Sequence, residues 1–224
     1  MRFEQAVYGS FPFWNRGYGV LAHSPGCRPE WLSELRTVCQ RYGEPPAGTP
    51  HVEGHFALRL KSGPWLVAGV HSQGCDDRGR PGALAFHALF IGRFAYAWAG
   101  SDPFALSQQI RHDWRATDQD RALPTGRLKL WPNRLASVTP VPDPQARAIA
   151  NAIAERRRVI VQSSTPIEAL ARSVWSQLPQ RARMRASFAT WAFDIGNGFD
   201  LVALPKLTGL IVGPTDLVLA PEPV

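Results

Sequence analysis

Arg80-Pro81-Gly82-Ala83-Leu84-Ala85-Phe86-His87-Ala88-Leu89-Phe90-Ile91 is the stretch whose reading decides the fold. Pro81-Gly82 is a turn signal. Beyond it the chain runs almost without a polar side chain, as a strand buried on both faces does. One titratable group, His87, lies in its middle. The apolar pattern is expected to continue through Phe94-Ala95-Tyr96-Ala97-Trp98, giving a central strand over 82–98. Immediately upstream is the polar cluster Gly74-Cys75-Asp76-Asp77-Arg78-Gly79-Arg80.

Working outward, residues 3–9, 20–22, 56–60 and 65–70 read as strands, and 29–42 as an amphipathic helix closed by Gly43 and Pro45-Pro46. Between the first two strands lies an aromatic loop, residues 10–19, holding Phe11, Phe13, Trp14, Arg16 and Tyr18. Asp102-Pro103 is an N-cap with proline at the first helical position, opening a helix through Phe104, Leu106, Ile110 and Trp114. Residues 116–142 are Pro-rich and mark a boundary, with Trp131 pinning the linker to the body. Asp143-Pro144 opens a second capped helix, and Val159–Gln162 is a strand. Thr165-Pro166-Ile167-Glu168 reads as a capping box before a fourth helix. Phe188–Phe193 and Phe199–Leu204 flank Asp194-Ile195-Gly196-Asn197-Gly198 as a hairpin. A last strand falls at Leu207–Val212.

The expected fold is therefore α+β, a mixed and mostly antiparallel sheet with helices packed on it. It divides into two intimately packed halves, a β-rich half over 1–125 and an α-β-α-β-β half over 140–212, with a Pro-rich tail at 213–224. The 224 residues suffice for a large buried core. Apolar content is 45% against 19% charged, a globular rather than a disordered balance. The first residues, Met1-Arg2-Phe3-Glu4-Gln5, carry no apolar signal core, and no run of about 18 apolar residues exists. The chain is read as cytoplasmic, with no membrane partner. Three scattered cysteines argue against a disulfide framework.

Net charge is +7, and 22 of the 25 basic residues are Arg. Arg156, Arg157, Arg158, Arg181, Arg183 and Arg185 flank the helix opened at Thr165 at both ends, a patch suited to weak polyanion binding, as of a nucleic acid or nucleotide, or to answering helix dipoles. Cys75, His87 and Asp77 supply the residue types of a nucleophile, a base and an orienting carboxylate for a hydrolase or transferase. On an apolar strand, however, His87 is read as a buried, hydrogen-bonded structural residue. The His23/Cys27, His51/His55 and His71/Cys75 pairs are four apart but lie on no helix, and tight thiol pairs are missing, so neither metal nor cofactor is expected.

Three places resemble the N-terminal domain of the bacterial GTPase-associated protein one family of NTP-dependent conflict systems. Gln5-Ala6-Val7-Tyr8-Gly9 is similar to its opening Gln-x-x-Tyr-Gly strand. Arg80-Pro81-Gly82 with His87-Ala88-Leu89 is similar to its Arg-Pro-Gly and His-x-Leu segment. Leu178-Pro179, Arg183 and Ser187-Phe188-Ala189-Thr190 are similar to its Leu-Pro, Arg, Phe-x-Thr segment. The family's opening continues into a short Gly-His turn, where this chain carries the aromatic loop. The resemblance implies a non-enzymatic adaptor or sensor that meets a GTPase or effector encoded nearby, with no catalytic residues. The aromatic loop is the expected partner-facing element, since aromatics and Arg dominate binding hot spots.

Overall fold

The structure, a computed structural model, describes residues 1–46, 48–49, 52–127, 143–207 and 211–219. The expected strands appear as β1 (Arg2–Gly9), β2 (Gly19–His23), β3 (Glu53–Arg59), β4 (Trp65–Cys75) and β5 (Pro81–Ile91), with helix α1 (Pro29–Gln40) between β2 and β3. They pair antiparallel in the spatial order β3-β4-β5-β1-β2. The central strand β5 is buried from Ala83 to Ile91, as its apolar run requires. A short strand β6 (Gly126–Arg127) adds to β1 at Arg2 and Phe3.

The second half continues the same sheet. It contributes β7 (Val159–Gln162), β8 (Phe188–Ala189), β9 (Leu201–Leu204) and β10 (Leu217–Leu219), in the order β10-β7-β9-β8, joined to β3 through β8. Helices α4 (Pro144–Ala154), α5 (Glu168–Gln177) and α6 (Gln180–Arg183) belong to this half. The result is a mixed, mostly antiparallel α+β sheet, and one apolar cluster runs through both halves, from Phe3 and Tyr42 to Trp175 and Leu204.

Several expectations are corrected. The central strand stops at Ile91. Gly92 opens the helix α2 (Arg93–Trp98), which buries Tyr96 flat against Trp65, ring centroids 4.2 Å apart, and leaves Phe94 outside. An all-apolar run of five residues fits either period, and packing chose the helix. The helix begun by Asp102, whose carboxylate accepts from the N–H groups of Phe104 and Ala105, is only α3 (Pro103–Ser107). The chain then leaves it and crosses the sheet, bringing Ile110 and Trp114 onto the strands as an irregular strap.

The Thr165 capping box does not form. Helix α5 begins at Glu168, after Ile167, and no side chain caps its first N–H groups. Nor is there a hairpin at 188–204: β8 and β9 are parallel neighbours, with Phe188 opposite Leu201. The intervening segment makes its turn, the Gly198 N–H reaching the Ile195 carbonyl. It is also tethered to the end of α1, where Asn197 Nδ2 donates to the Val38 carbonyl and the Tyr42 hydroxyl to the Trp191 carbonyl. Those anchors carry the chain back to the starting end of the sheet. In the 207–212 stretch residues 208–210 lie outside the described residues, and Leu207, Ile211 and Val212 are not in a strand. The sheet's last strand is β10, inside the segment read as a tail. Trp131 and His51 also lie outside the described residues.

The aromatic loop is folded back rather than projecting. Phe11 and Trp14 are buried in a second apolar cluster with Val7, Leu21, Ala85, Trp114 and Leu123. Of its aromatic and Arg residues, Phe13, Arg16 and Tyr18 face outward. Asp77 holds the loop in place, accepting from Ser10 Oγ at 3.2 Å and from the Gly17 N–H at 2.7 Å. Gly17 adopts φ of 69°, a left-handed turn that places its N–H toward that carboxylate without strain. Trp14→Ala is expected to cost about 3–5 kcal/mol, lowering the melting temperature by roughly 2–4 °C per kcal/mol. Phe13→Ala should shift it far less. Equal melting temperatures for both variants in a thermal scan would refute the burial of Trp14.

Candidate functional site: histidines on the central strands

Strand register, rather than sequence proximity, assembles the site. His55 of β3 lies opposite Gly69 of β4, Gly69 opposite His87 of β5, and His87 opposite Val7 of β1. The neighbouring row on the same face holds Glu53, His71 and Ala85. The strap after α3 passes over this face. A Cβ on Gly69 would stand 2.6 Å from Ile110 Cγ2 and 3.4 Å from His112 Cε1. The missing side chain therefore makes the opening into which Ile110 settles, with His112 alongside at ordinary contact distance. His55, His71, His87 and His112, four of the chain's six histidines, share this region.

His87 is buried, with 1% of its surface exposed, and both ring nitrogens are engaged. Nδ1 accepts the Arg111 N–H at 2.8 Å, which assigns the proton to Nε2, and Nε2 donates to Gln5 Oε1 at 2.8 Å. Gln5 passes the chain on, donating from Nε2 to the Pro124 carbonyl at 2.7 Å. Trp114 meets the His87 ring edge-on at 5.0 Å, and the Arg111 guanidinium covers Trp114 at 4.1 Å while pairing with Asp113 and Asp118. Burial, with the positive charges of Arg111 and of any protonated His112 and His71 behind it, pushes the His87 pKa from 6.5 down to about 3. Such a group is a fixed, neutral strut.

The other histidines are less enclosed. His71 and His112 face each other Nδ1 to Nδ1 at 3.3 Å, rings perpendicular. Burial lowers the pKa of His112 as well. His55 pairs with Glu168 at 2.8 Å, and Arg172 grips the same carboxylate from one helical turn away. Burial raises the Glu168 pKa, but the bonds and charge of Arg172 and His55 outweigh it and leave the carboxyl below its usual range. Glu168 is thus spent on an ion pair rather than on capping α5.

The trio Cys75, His87 and Asp77 is not brought together. Cys75 lies opposite Pro81, and His87 is six residues further along β5, about 20 Å away. Asp77 is engaged with Ser10 and Gly17, as above. Its neighbour Asp76 is buried and closes the turn, accepting from the N–H groups of Arg78 and Arg80 and from Arg80 Nε.

The Arg patch is partly used up inside the fold. Arg158 pairs with Asp216, Arg157 donates to the Thr215 carbonyl, and Arg185 donates to the Ala154 carbonyl at the end of α4. Arg183 is half-buried. Arg156 and Arg185 line a cleft of about 330 Å³ with Ile153, Ala186 and Asp200. Arg156, Arg157, Arg181 and Arg185 are exposed.

Gln5, His55, Arg111 and His112 do not stand out in the sequence. Of the four histidines only His87 falls within a strand read from the sequence; His55 and His71 adjoin the strands read at 56–60 and 65–70, and their register is a property of the assembled sheet. Two of the three family-like segments do meet here, since Gln5 and His87 are bonded to each other. The third touches the same region, because the Thr190 hydroxyl accepts the His55 N–H at 2.8 Å.

Because the folded state keeps His87 neutral while the unfolded chain protonates it near pH 6.5, unfolded molecules bind more protons between about pH 6.5 and 3. Its contribution is complete above pH 6.5 and is lost as pH falls, with a slope of up to about 1.4 kcal/mol per pH unit. His87→Ala should lower stability at pH 7.5 by about 1–3 kcal/mol, leaving Gln5 and the Arg111 N–H unpaired. It should also flatten the acid limb of a stability–pH profile measured by urea unfolding. A variant with wild-type stability and an unchanged limb would contradict this assignment.

Comparison with known proteins returns no match to any family model, curated protein or solved structure.

Proposed function

We propose that the chain is a non-enzymatic interaction module, an adaptor for a GTPase or another effector encoded beside it, as the resemblance to the GTPase-associated protein one family implies. The observation that carries this reading is the outer face of α2. Phe94 is 88% exposed and Trp98, one turn on, 45% exposed, beside the exposed Arg93. Phe94 and Trp98 are one helical turn apart on the same face, and contiguous exposed apolar surface, unlike single residues, marks interaction sites, with Trp and Arg as the residues that anchor interfaces. The outward remainder of the aromatic loop, Phe13, Arg16 and Tyr18, is the second place where such a partner would find purchase. Among the described residues no helix is long and apolar enough to cross a membrane.

The exposed Arg156, Arg157, Arg181 and Arg185 favour a second, weaker activity, non-specific binding of polyanions. Two features keep it weak. Arg185 is already bonded to a helix-terminal carbonyl, and the C-terminal end of α4 disfavours an anion in the cleft.

Co-expression with the products of adjacent genes, followed by affinity purification, tests the adaptor reading. The wild type is expected to retain a GTPase or effector. The double variant Phe94→Ser/Trp98→Ser should lose it while melting within about 0.5 kcal/mol of the wild type, as surface changes do. Retention by the double variant would move the docking face away from α2, and no captured partner at all would sink the adaptor reading. Binding to single-stranded nucleic acid should vanish steeply with salt and show no sequence preference. Salt-insensitive binding would overturn the polyanion reading.

A further inference from the structure

We propose that the face of the sheet opposite the histidines carries a small-molecule site, a cleft for an uncharged heteroaromatic carbonyl compound of the nucleobase class. Register builds its floor. Tyr8 of β1 lies opposite Phe86 of β5, and Leu84, two residues before Phe86, is on the same side. His87 follows Phe86 directly and belongs to the other face. Tyr18, from the folded-back loop, packs beside Tyr8 with ring centroids 6.1 Å apart. The end of α1 supplies another wall through Cys39 and Gln40, and Glu44 stands just beyond it. The cleft measures about 200 Å³. Sites for drug-sized ligands run to roughly 300–1,000 Å³, so this one has room for a single ring system.

Two phenols of the cleft hold protons that no acceptor takes. Tyr8 is 1% exposed, and its hydroxyl, close to the Cys39 thiol in the cleft wall, meets no hydrogen-bond acceptor among the described residues. Its charged neighbour Arg36 can only donate. The Tyr18 hydroxyl receives the Leu84 N–H at 3.1 Å, which occupies its oxygen and leaves its proton free. Burial raises the pKa of both phenols, so both protons stay in place. A buried donor without an acceptor destabilises the fold, and a ligand carbonyl answers it. The aromatic rings around it offer a flat partner their faces and edges. Gln40, exposed at the rim, presents an amide donor and an amide acceptor together, the pattern that a ring amide returns. Charge at the rim favours neither sign. Arg36 and Arg80 stand against Glu44 and Asp76, and Arg80 is already paired with Asp76. A neutral ring enters without leaving a charge unpaired.

The test is titration of uracil alone into the full chain, followed by proton–nitrogen NMR. Saturable binding in the millimolar range or tighter is expected, with the Leu84 amide resonance among those that move. Tyr8→Phe keeps the ring and removes only the hydroxyl. It should melt at or above the wild-type temperature, because an unanswered buried donor is gone. It should also weaken uracil binding about 2–10-fold, the worth of one neutral hydrogen bond. His23→Gln, exposed and outside the cleft, should leave uracil binding unchanged. Benzoate and benzylamine, flat rings carrying a negative or a positive charge, should bind more weakly than uracil. The assignment is overturned by any of three results: no saturable uracil binding, uracil binding as tight in Tyr8→Phe as in the wild type, or tighter binding of either charged ring. A lowered melting temperature in Tyr8→Phe would overturn it too, since the hydroxyl would then already be answered within the fold.

Discussion

The rest of the structure hangs on one constraint: β5 is buried on both faces, so nothing polar on it can be left unanswered. His87 is the test of that rule. Its ring sits where no water reaches, and each of its nitrogens is met by a different segment, Gln5 from β1 and Arg111 from the strap after α3. A buried imidazole without those partners would cost more than it contributes. With them, one side chain fastens two covering segments to the central strand. Gln5 extends the chain of bonds to Pro124. The strap's backbone thereby finds a partner in a region where regular pairing is not on offer.

The same economy of partners explains the turn before β5. Asp77, one of the residue types of a catalytic trio in the sequence, acts instead as a tie, as does its neighbour Asp76. One carboxylate gathers the N–H groups and the guanidinium of its own turn, and the other reaches across to the loop at Ser10 and Gly17. Each substitutes for backbone pairing that an irregular segment cannot make for itself. Several Arg residues of the basic patch behave likewise, at Asp216, Thr215 and Ala154. Charge that sequence reading assigns to a ligand is in part already spent on the chain's own loose ends.

What could be read in advance follows from which forces are local. The apolar run of β5 as far as Ile91 and the Asp-Pro starts of α3 and α4 are written in neighbouring residues, and they formed as expected. Phe94–Trp98 is apolar throughout and carries no period, so only the fit of Tyr96 onto Trp65 separates helix from strand. The direction of β9 depends on Asn197 and Tyr42 finding groups far away in sequence. Trp14 and Phe11 sit among turn residues, and their burial depends on a cluster assembled from β1, β2, β5 and the strap. The histidine region was hidden for the same reason. It exists only once register sets His55, Gly69 and His87 side by side, and register is a property of the assembled sheet.

Gly69 links these strands of reasoning. In the middle of a central strand a glycine weakens the sheet and packs nothing. Here its vacancy is filled from above, by Ile110 and the edge of His112, so the strap lies closer to the sheet than any side chain at that position would permit. That approach delivers the Arg111 N–H to His87 and the His112 ring to His71 together. An alanine at 69 would push Ile110 away, and with it both contacts, because the three strap residues are consecutive. The glycine is therefore where the packing of Ile110 against the main apolar cluster and the chemistry of the histidines become one requirement. Residue 69 sets how far the strap stands from the sheet, and so both the enclosure of His87 and the spacing of the His71–His112 pair.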